Sequence, residues 1–512
     1  MLEIVSNERN YPKILLLFIV VAFFIPLGFA PLFDLDEGAF SEATREMLVG
    51  GDYITTYLNG ELRFDKPILI YWLQLLSVKF FGLNEFALRL PSAIAGSFWA
   101  YAIFIFTKRV LDTKKAFFAT LFMVSSLQIN IIAKASIADA LLNMFIVFSM
   151  FTLYIYYKNR DNRRVLHLTF LFIAFGTLTK GPIAILIPMM SSLIFFIIRG
   201  EFKEWLKMIF NPIGILIFMG IALPWYIAEY MAQGEAFIDG FFLKHNLNRF
   251  SSVMESHKGT IFYFIPVLIV GVMPFTYFAI KAIGGIRSYF KDDLKLYLSI
   301  WFIFVFIFFS LSGTKLPHYI IYGYTPLFIL STIYIERVNK RWLIYPLLIF
   351  LTILLFLPDI ATFFKDDIKD KLAVVLIENS YNSFDIWYRA STLSLIGFLL
   401  VLLFRDIKDK IIILGVALVM VILINFIVIP TYGELMQQPI KEAGVLAKNR
   451  GYRNIIMYKI NTPSFNLYYE GLTKSNKPQK GSIIFTKVTK LKDFKKYKTI
   501  YQKNGFALIE IN

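Results

Sequence analysis

About thirteen stretches of predominantly apolar sequence follow one another between residues 13 and 430, and a helix needs roughly 20 such residues to cross the hydrocarbon of a bilayer. They lie near 13–33, 87–107, 115–132, 140–157, 165–180, 181–198, 208–230, 260–281, 294–313, 317–335, 340–358, 389–404 and 410–430. Backbone groups find no water in hydrocarbon, so each stretch satisfies its own N–H and C=O groups as a helix. Composition agrees: 57% of the 512 residues are hydrophobic, where soluble domains run at about 45–50%. The expected fold is an all-α polytopic membrane domain over residues 1–430. Its first stretch has too long an apolar core for a cleavable signal and reads as a span.

Charge decides which side is which. The basic residues collect in alternate loops, at 108–115, 158–164, 199–207, 281–295, 337–341 and 405–410. By the positive-inside rule these loops and the amino terminus face the cytoplasm. The other loops are then extracytoplasmic: 34–86, 133–139, the tight turn at 180–181, 231–259, 314–316, 359–388 and everything after 430. One parity serves every loop. It also accounts for the net charge of +17 without nucleic acid, for which no stacking platform or soluble basic module is present. With no Cys in the chain, disulfides and thiolate metal sites are excluded.

The first extracytoplasmic loop has a pattern of its own. Ala39, Phe40, Ala43 and Met47 recur at helical spacing, with Glu42, Arg45 and Glu46 on the other face, which predicts a helix lying in the interface. Residues 67–81 are apolar but short for a span, so a second interfacial or a re-entrant helix is expected, with Pro67 in its first turn. Lys66 would then stand beside unpaired backbone N–H groups, a phosphate-binding arrangement. After residue 430 the apolar density falls. Short β-like runs at 454–460, 482–488 and 499–511, with turns at Gly451, Gly471 and Gly481, predict a small α/β domain over 431–512 resting on the first loop.

Charged groups near hydrocarbon are costly, so those present call for a reason. Asp34, Asp36 and Glu37 read at their plainest as the cap of a helix. Set beside Lys66, Arg89, Lys134, Asp139, Lys180 and Lys315, all at extracytoplasmic ends of spans or in the first loop, they read as a site for an anionic lipid head group. The order of residues then matters: Asp36-Glu37, Arg45-Glu46, Gly51-Asp52, Leu58-Asn59-Gly60, Lys66-Pro67, Tyr71-Trp72, Glu85-Phe86, Arg89, Asp139, Thr179-Lys180-Gly181-Pro182, His245-Asn246, His257-Lys258-Gly259 and Thr314-Lys315, with Pro317-His318-Tyr319. This run resembles the aminoarabinose transferase/protein O-mannosyltransferase family, integral-membrane glycosyltransferases of the GT-C fold.

The resemblance implies transfer of a sugar from a polyprenyl (undecaprenyl) phosphate to an extracytoplasmic acceptor, with inversion at the anomeric carbon. Lipid A, another glycan or a protein would be the acceptor, and the protein would sit in the inner membrane with its site on the periplasmic side. It places the catalytic carboxylates on Asp36, with Glu37 beside it, and on Asp139. Displacement needs a base for the acceptor proton and positive charge on the departing phosphate; Lys66, Lys180 and Lys315 are the candidates, followed by Arg45 and Arg89. The chain departs from the common pattern at Asp65, where Glu is usual, and at Gly38-Ala39-Phe40, which lacks an Arg. No cofactor is required; a divalent cation held by Asp65 and His257 is the one metal arrangement considered, and two ligands do not specify a metal. The competing reading, a transporter or lipid flippase, predicts helix repeats and broken spans at mid-membrane; here the charges gather on one side.

The topology is directly testable. In a chain without native cysteine, Asn59→Cys and Asn476→Cys are expected to react with an impermeant maleimide in intact cells, and Asn159→Cys is not. Reversed labelling would invert the orientation.

Overall fold

The computed structural model describes residues 7–248, 259–336 and 339–512, and the backbone alone for 245–248. Among the described residues, six helices are long and apolar enough to cross a membrane: Glu85–Val110, Asp139–Lys158, Pro212–Gln233, Asp293–Leu311, Ile386–Phe404 and Asp409–Met436. A seventh passage is made if Lys340–Leu355 and Leu357–Phe363, bent by 60°, count as one. The expected thirteen are therefore not matched by thirteen uninterrupted helices, and the reason is local. The stretch 260–281 is divided into Phe264–Gly271 and Thr276–Gly284, with Pro274 between them, which has no N–H to continue a helix. The stretch 317–335 opens as the 3-10 turn Pro317–Gly323 before the helix Tyr324–Ser331. Helices Arg163–Lys180 and Ile183–Ile198 meet as expected at Gly181, whose φ of 78° favours glycine. The span Asp409–Met436 runs straight through residue 430.

Within the first loop, one helix covers Asp36–Gly50 and a second Leu69–Phe81. Between them lies a hairpin of β1 (Tyr57–Leu58) and β2 (Glu61–Leu62). Its Asn59-Gly60 turn has positive φ at both residues, as a two-residue turn between right-twisted strands demands. The Glu46 carboxylate accepts the turn's N–H groups at 2.5 and 2.9 Å. Two expectations change here. The second helix begins after Pro67, and the Lys66 ammonium donates to Asp65 at 2.8 Å. The polar face of the first helix is also not in water: Glu42 and Arg45 are buried, because the helix is covered by Leu69–Phe81 and by Pro463–Tyr469 from the far end of the chain.

That far end is a mixed four-stranded sheet of β3 (Ile456–Tyr458), β4 (Ile483–Lys487), β5 (Tyr497–Lys503) and β6 (Phe506–Ile511), in the spatial order β3-β4-β6-β5. Strand β3 runs parallel to β4, and β6 pairs antiparallel with both β4 and β5. Its core joins Phe485 and Leu508 to Ile440, Ala443 and Phe465 from two helices. Polar contacts fasten it to the first loop. Asp34 accepts the Ser464 N–H at 3.0 Å and the Ser464 hydroxyl. The Asn59 carbonyl oxygen accepts from Asn466 and from the Thr473 N–H, both at 3.0 Å. Tyr468 accepts the Leu32 N–H and donates to Glu85, each at 2.9 Å.

Gly38 is where this junction is tightest. A Cβ there would stand 2.0 Å from the Asp34 carboxylate and 2.8 Å from the Ser464 nitrogen. Gly38→Ala is therefore expected to break the Asp34–Ser464 pair, a loss of about 1–3 kcal/mol for a buried group left unsatisfied. The check is a lower Tm in detergent with faster proteolysis after residue 436.

Candidate active site

A cavity of about 430 Å³ opens where the first span ends, lined by Asp34, Asp36, Glu37, Arg89, Lys134 and His318 among apolar side chains. Its polar wall is built from one buried pair. Glu37 Oε1 and Oε2 accept from Arg89 Nε at 2.8 Å and Nη2 at 2.7 Å. The same oxygens accept the Ser136 N–H at 2.7 Å and the Phe33 N–H at 2.9 Å. Arg89 spends its remaining protons on the carbonyls of Leu27, Ala30 and Pro31. Burial alone would raise the Glu37 pKa; the charge and hydrogen bonds of Arg89 and the two N–H groups outweigh it, and the carboxyl is held below its usual value of 4.5. Every acceptor position of Glu37 is used, and so is every proton of the Arg89 fork that reaches an acceptor.

This sorts the acidic trio. Asp34 is taken by Ser464 and Glu37 by Arg89. Asp36 is exposed, and its carboxylate accepts no hydrogen bond from the described residues. It does feel Arg63. Burial works against the Arg63 charge, and Tyr71, Asp65 and Asp36 together outweigh it, holding its pKa above the usual guanidinium value. Arg63 lies 5.6 Å from the Phe40 ring centroid, so a guanidinium returns to the neighbourhood where the sequence lacks the family's Arg. Sequence reasoning missed Arg63; its one signal is the i, i+2 spacing to Asp65 in an extended segment, which turns both to one side.

The second expected carboxylate belongs to another cluster. Asp139 Oδ1 accepts from Lys180 at 2.7 Å and from the Tyr322 hydroxyl at 2.6 Å, with His318 Nε2 3.8 Å away. Lys180 also donates to the Tyr322 hydroxyl at 2.9 Å. Because His318 lines the cavity of Asp36, it links the two carboxylates. Tyr322 was legible only as the residue four after His318, within the 3-10 turn Pro317–Gly323.

The remaining basic residues are held by protein groups. Lys66 donates to Asp65. Lys315 folds back onto the carbonyls of Ser310 and Ser312 at 3.0 and 2.5 Å, and burial lowers its pKa. Lys134 donates to the Asn130 carbonyl and to Asn425; burial, with Arg89 adding to it, brings its ammonium down to about 7. Arg45 closes a two-point fork on Glu42 at 2.7 and 2.6 Å. Arg45 and Arg89, expected on a donor phosphate, thus have their forks occupied by protein acceptors. Asp65, expected as a metal ligand, is paired with both Arg63 at 3.2 Å and Lys66 at 2.8 Å, a setting that opposes a further cation. Its expected companion His257 lies outside the described residues. Among the described residues, no three His, Cys, Asp or Glu side chains converge on a metal-sized site.

Comparison with known proteins places this geometry. Residues 65–227 match the family model described as dolichyl-phosphate-mannose-protein mannosyltransferase. The chain is 30% identical over 380 residues to the undecaprenyl phosphate-alpha-4-amino-4-deoxy-L-arabinose arabinosyl transferase of Aeromonas hydrophila, 70% of this chain and 69% of that protein. It is 28% identical to the protein of the same name from Shewanella sediminis, where the match spans 64% of this chain and 60% of the relative. In three dimensions it superimposes on ArnT from Cupriavidus metallidurans bound to undecaprenyl phosphate with a TM-score of 0.82, covering 98% of each chain at 18% identity. The fold is the same.

The Glu37–Arg89 pair generates a prediction that separates it from Asp36. Glu37→Gln leaves a buried guanidinium without its counter-charge, a loss of about 3–5 kcal/mol, seen as poor expression and a much lower Tm. Asp36→Asn leaves the Tm unchanged. Since the folded pKa of Glu37 lies below 4.5, its stabilisation is present above that pH and is lost as the pH falls below 4.5 towards the folded value. Thermal melts from pH 6 down to 3 are expected to show this acid loss in the native protein and not in Glu37→Gln.

Proposed function

The chain belongs to the family of the undecaprenyl phosphate-4-amino-4-deoxy-L-arabinose arabinosyl transferases, and on that premise we propose that it is an integral-membrane glycosyltransferase. It moves a sugar from a polyprenyl phosphate to an extracytoplasmic acceptor such as lipid A, with inversion. The observation that carries this reading is the cavity in which Asp36 alone of the acidic trio keeps an unengaged carboxylate. The reading includes residence in the cytoplasmic membrane, a periplasmic site, and about thirteen crossings in which a broken helix counts as one passage. It also includes a division into a membrane unit, 1–430, and an extracytoplasmic α/β unit, 431–512.

In the proposed reaction Asp36 accepts the proton of the acceptor hydroxyl as its oxygen attacks the anomeric carbon. The bond from that carbon to the phosphate oxygen breaks, and its electron pair leaves with the phosphate. Lys66, Lys180 and Lys315, joined by Arg63, supply positive charge to the departing group. Asp139 positions Lys180 and Tyr322 for that task, consistent with the contacts at 2.7 and 2.6 Å. The family description of the stretch 65–227 favours a second acceptor class, a protein side chain, served by the same chemistry.

Asp36→Asn is expected to lower transfer by about 10²–10⁴, the usual worth of a general base, with donor binding intact. Lys180→Ala is expected to weaken binding of free undecaprenyl phosphate as well as turnover. Near-normal transfer in Asp36→Asn, with loss in Asp139→Asn, would move the base to Asp139. Mass spectrometry of lipid and protein fractions from a deletion strain identifies the acceptor, and 4-amino-4-deoxy-L-arabinose is the first donor sugar to supply.

A further inference from the structure

At the opposite end of the membrane domain, a groove of about 660 Å³ runs between the first turns of helices Arg163–Lys180 and Pro212–Gln233. Its apolar wall includes Leu168, Leu171, Leu216 and Ile221. Leu168 and Leu216 are 40% and 68% exposed, so the groove opens sideways to whatever surrounds the helices. Gly220 keeps it open: a Cβ there would meet no atom within 4 Å. The other end of the groove is polar, formed by Arg164 and His167. His167 Nε2 is buried and has no hydrogen-bond partner among the described residues.

The charges around this end are unevenly spent. Arg160 is paired with Glu201, and Lys158 with Asp293 at 2.5 Å. Arg199 is also on Asp293, at 2.8 Å. Arg164 forms no ion pair among the described residues, whereas Glu201 and Asp293 are matched to other cations. A ligand suited to the groove therefore carries an anion at one end, within reach of a guanidinium and an imidazole, and a long apolar chain at the other.

We propose that this groove binds an anionic glycerophospholipid of the leaflet on the basic-loop side. Its phosphate lies on Arg164 and His167, and one acyl chain lies along Leu168, Leu216 and the floor at Gly220. The site is distinct from the Asp36 cavity and does not depend on the transfer reaction. In a bilayer the acyl chain gains little by leaving hydrocarbon for an apolar groove, so selectivity rests on the head group. An Arg fork matched to phosphate oxygens supplies it, with charge-assisted bonds about twice as strong as neutral ones.

The test is native mass spectrometry of the full chain in detergent, titrated with palmitoyl-oleoyl phosphatidylglycerol and with phosphatidylcholine of the same chains. The native protein is expected to retain phosphatidylglycerol preferentially. Arg164→Gln is expected to weaken that binding about fivefold, the worth of one basic side chain at an anionic lipid surface, and to leave phosphatidylcholine unchanged. Gly220→Leu fills the groove while keeping both polar groups, and is expected to weaken phosphatidylglycerol too. Equal retention of the two lipids by the native protein would overturn the proposal, as would unchanged phosphatidylglycerol binding in both variants. Displacement by millimolar inorganic phosphate would show a head-group site alone and would overturn the role of the groove.

Discussion

Taking a carboxylate and a guanidinium out of water costs several kcal/mol per ion, and Glu37 and Arg89 recover that cost because both members of the pair have further partners. The Arg89 fork gathers the carbonyls of Leu27, Ala30 and Pro31, and Glu37 gathers the N–H groups of Phe33 and Ser136. The end of the first span, the start of the loop helix and the 133–138 turn are thereby held to the helix Glu85–Val110. Neighbouring helical residues point about 100° apart, given 3.6 residues per turn. Fixing Glu37 towards Arg89 thus turns Asp36 away from it. The exposed carboxylate owes its position to the buried one.

The site is electrically prepared in a particular way. Lys180 rests on Asp139, Lys66 on Asp65 and Arg45 on Glu42. Each of these three cations has a carboxylate beside it before any ligand arrives, which offsets the cost of taking its charge out of water. On the proposed reading, a lipid phosphate shares Lys180 and Lys66 with resident carboxylates rather than meeting bare charge. Such sharing tempers ground-state affinity, while the growing charge on a departing phosphate draws more from the same groups. Lys315 differs: among the described residues it is held by backbone carbonyls, those of Ser310 and Ser312.

Much of this was legible in the sequence because hydrophobic length and loop charge are one-dimensional properties. The span Ile386–Phe404, the turn at Gly181, the two loop helices and the strand-like runs at 454–460 and 482–488 follow from local pattern, whereas the run at 499–511 is folded into a hairpin of Tyr497–Lys503 and Phe506–Ile511. What was hidden depends on partners distant in the chain. Nothing local to Glu42 and Arg45 says that residues 463–469 cover them, so an amphipathic helix was read as half in water. Nothing within 34–37 says which of three carboxylates will be consumed, since the deciding groups are Ser464, Arg89 and Ser136. Breaks such as the one at Pro274 shorten helices without altering hydropathy, so a count by apolar length overstates the number of continuous ones.

The fastening of Asp34 to Ser464 also has a consequence in time. The loop that bears Asp36 is made early in synthesis, whereas Ser464, Asn466 and Tyr468 are made some four hundred residues later. A ribosome-bound chain therefore carries an uncovered loop, with Glu42 and Arg45 facing water. The site reaches its final form only when the last segment has been delivered to the same side of the membrane. With the orientation proposed above, maturation waits on translocation, and a chain arrested before residue 464 lacks the partners of Asp34, Asn59 and Glu85.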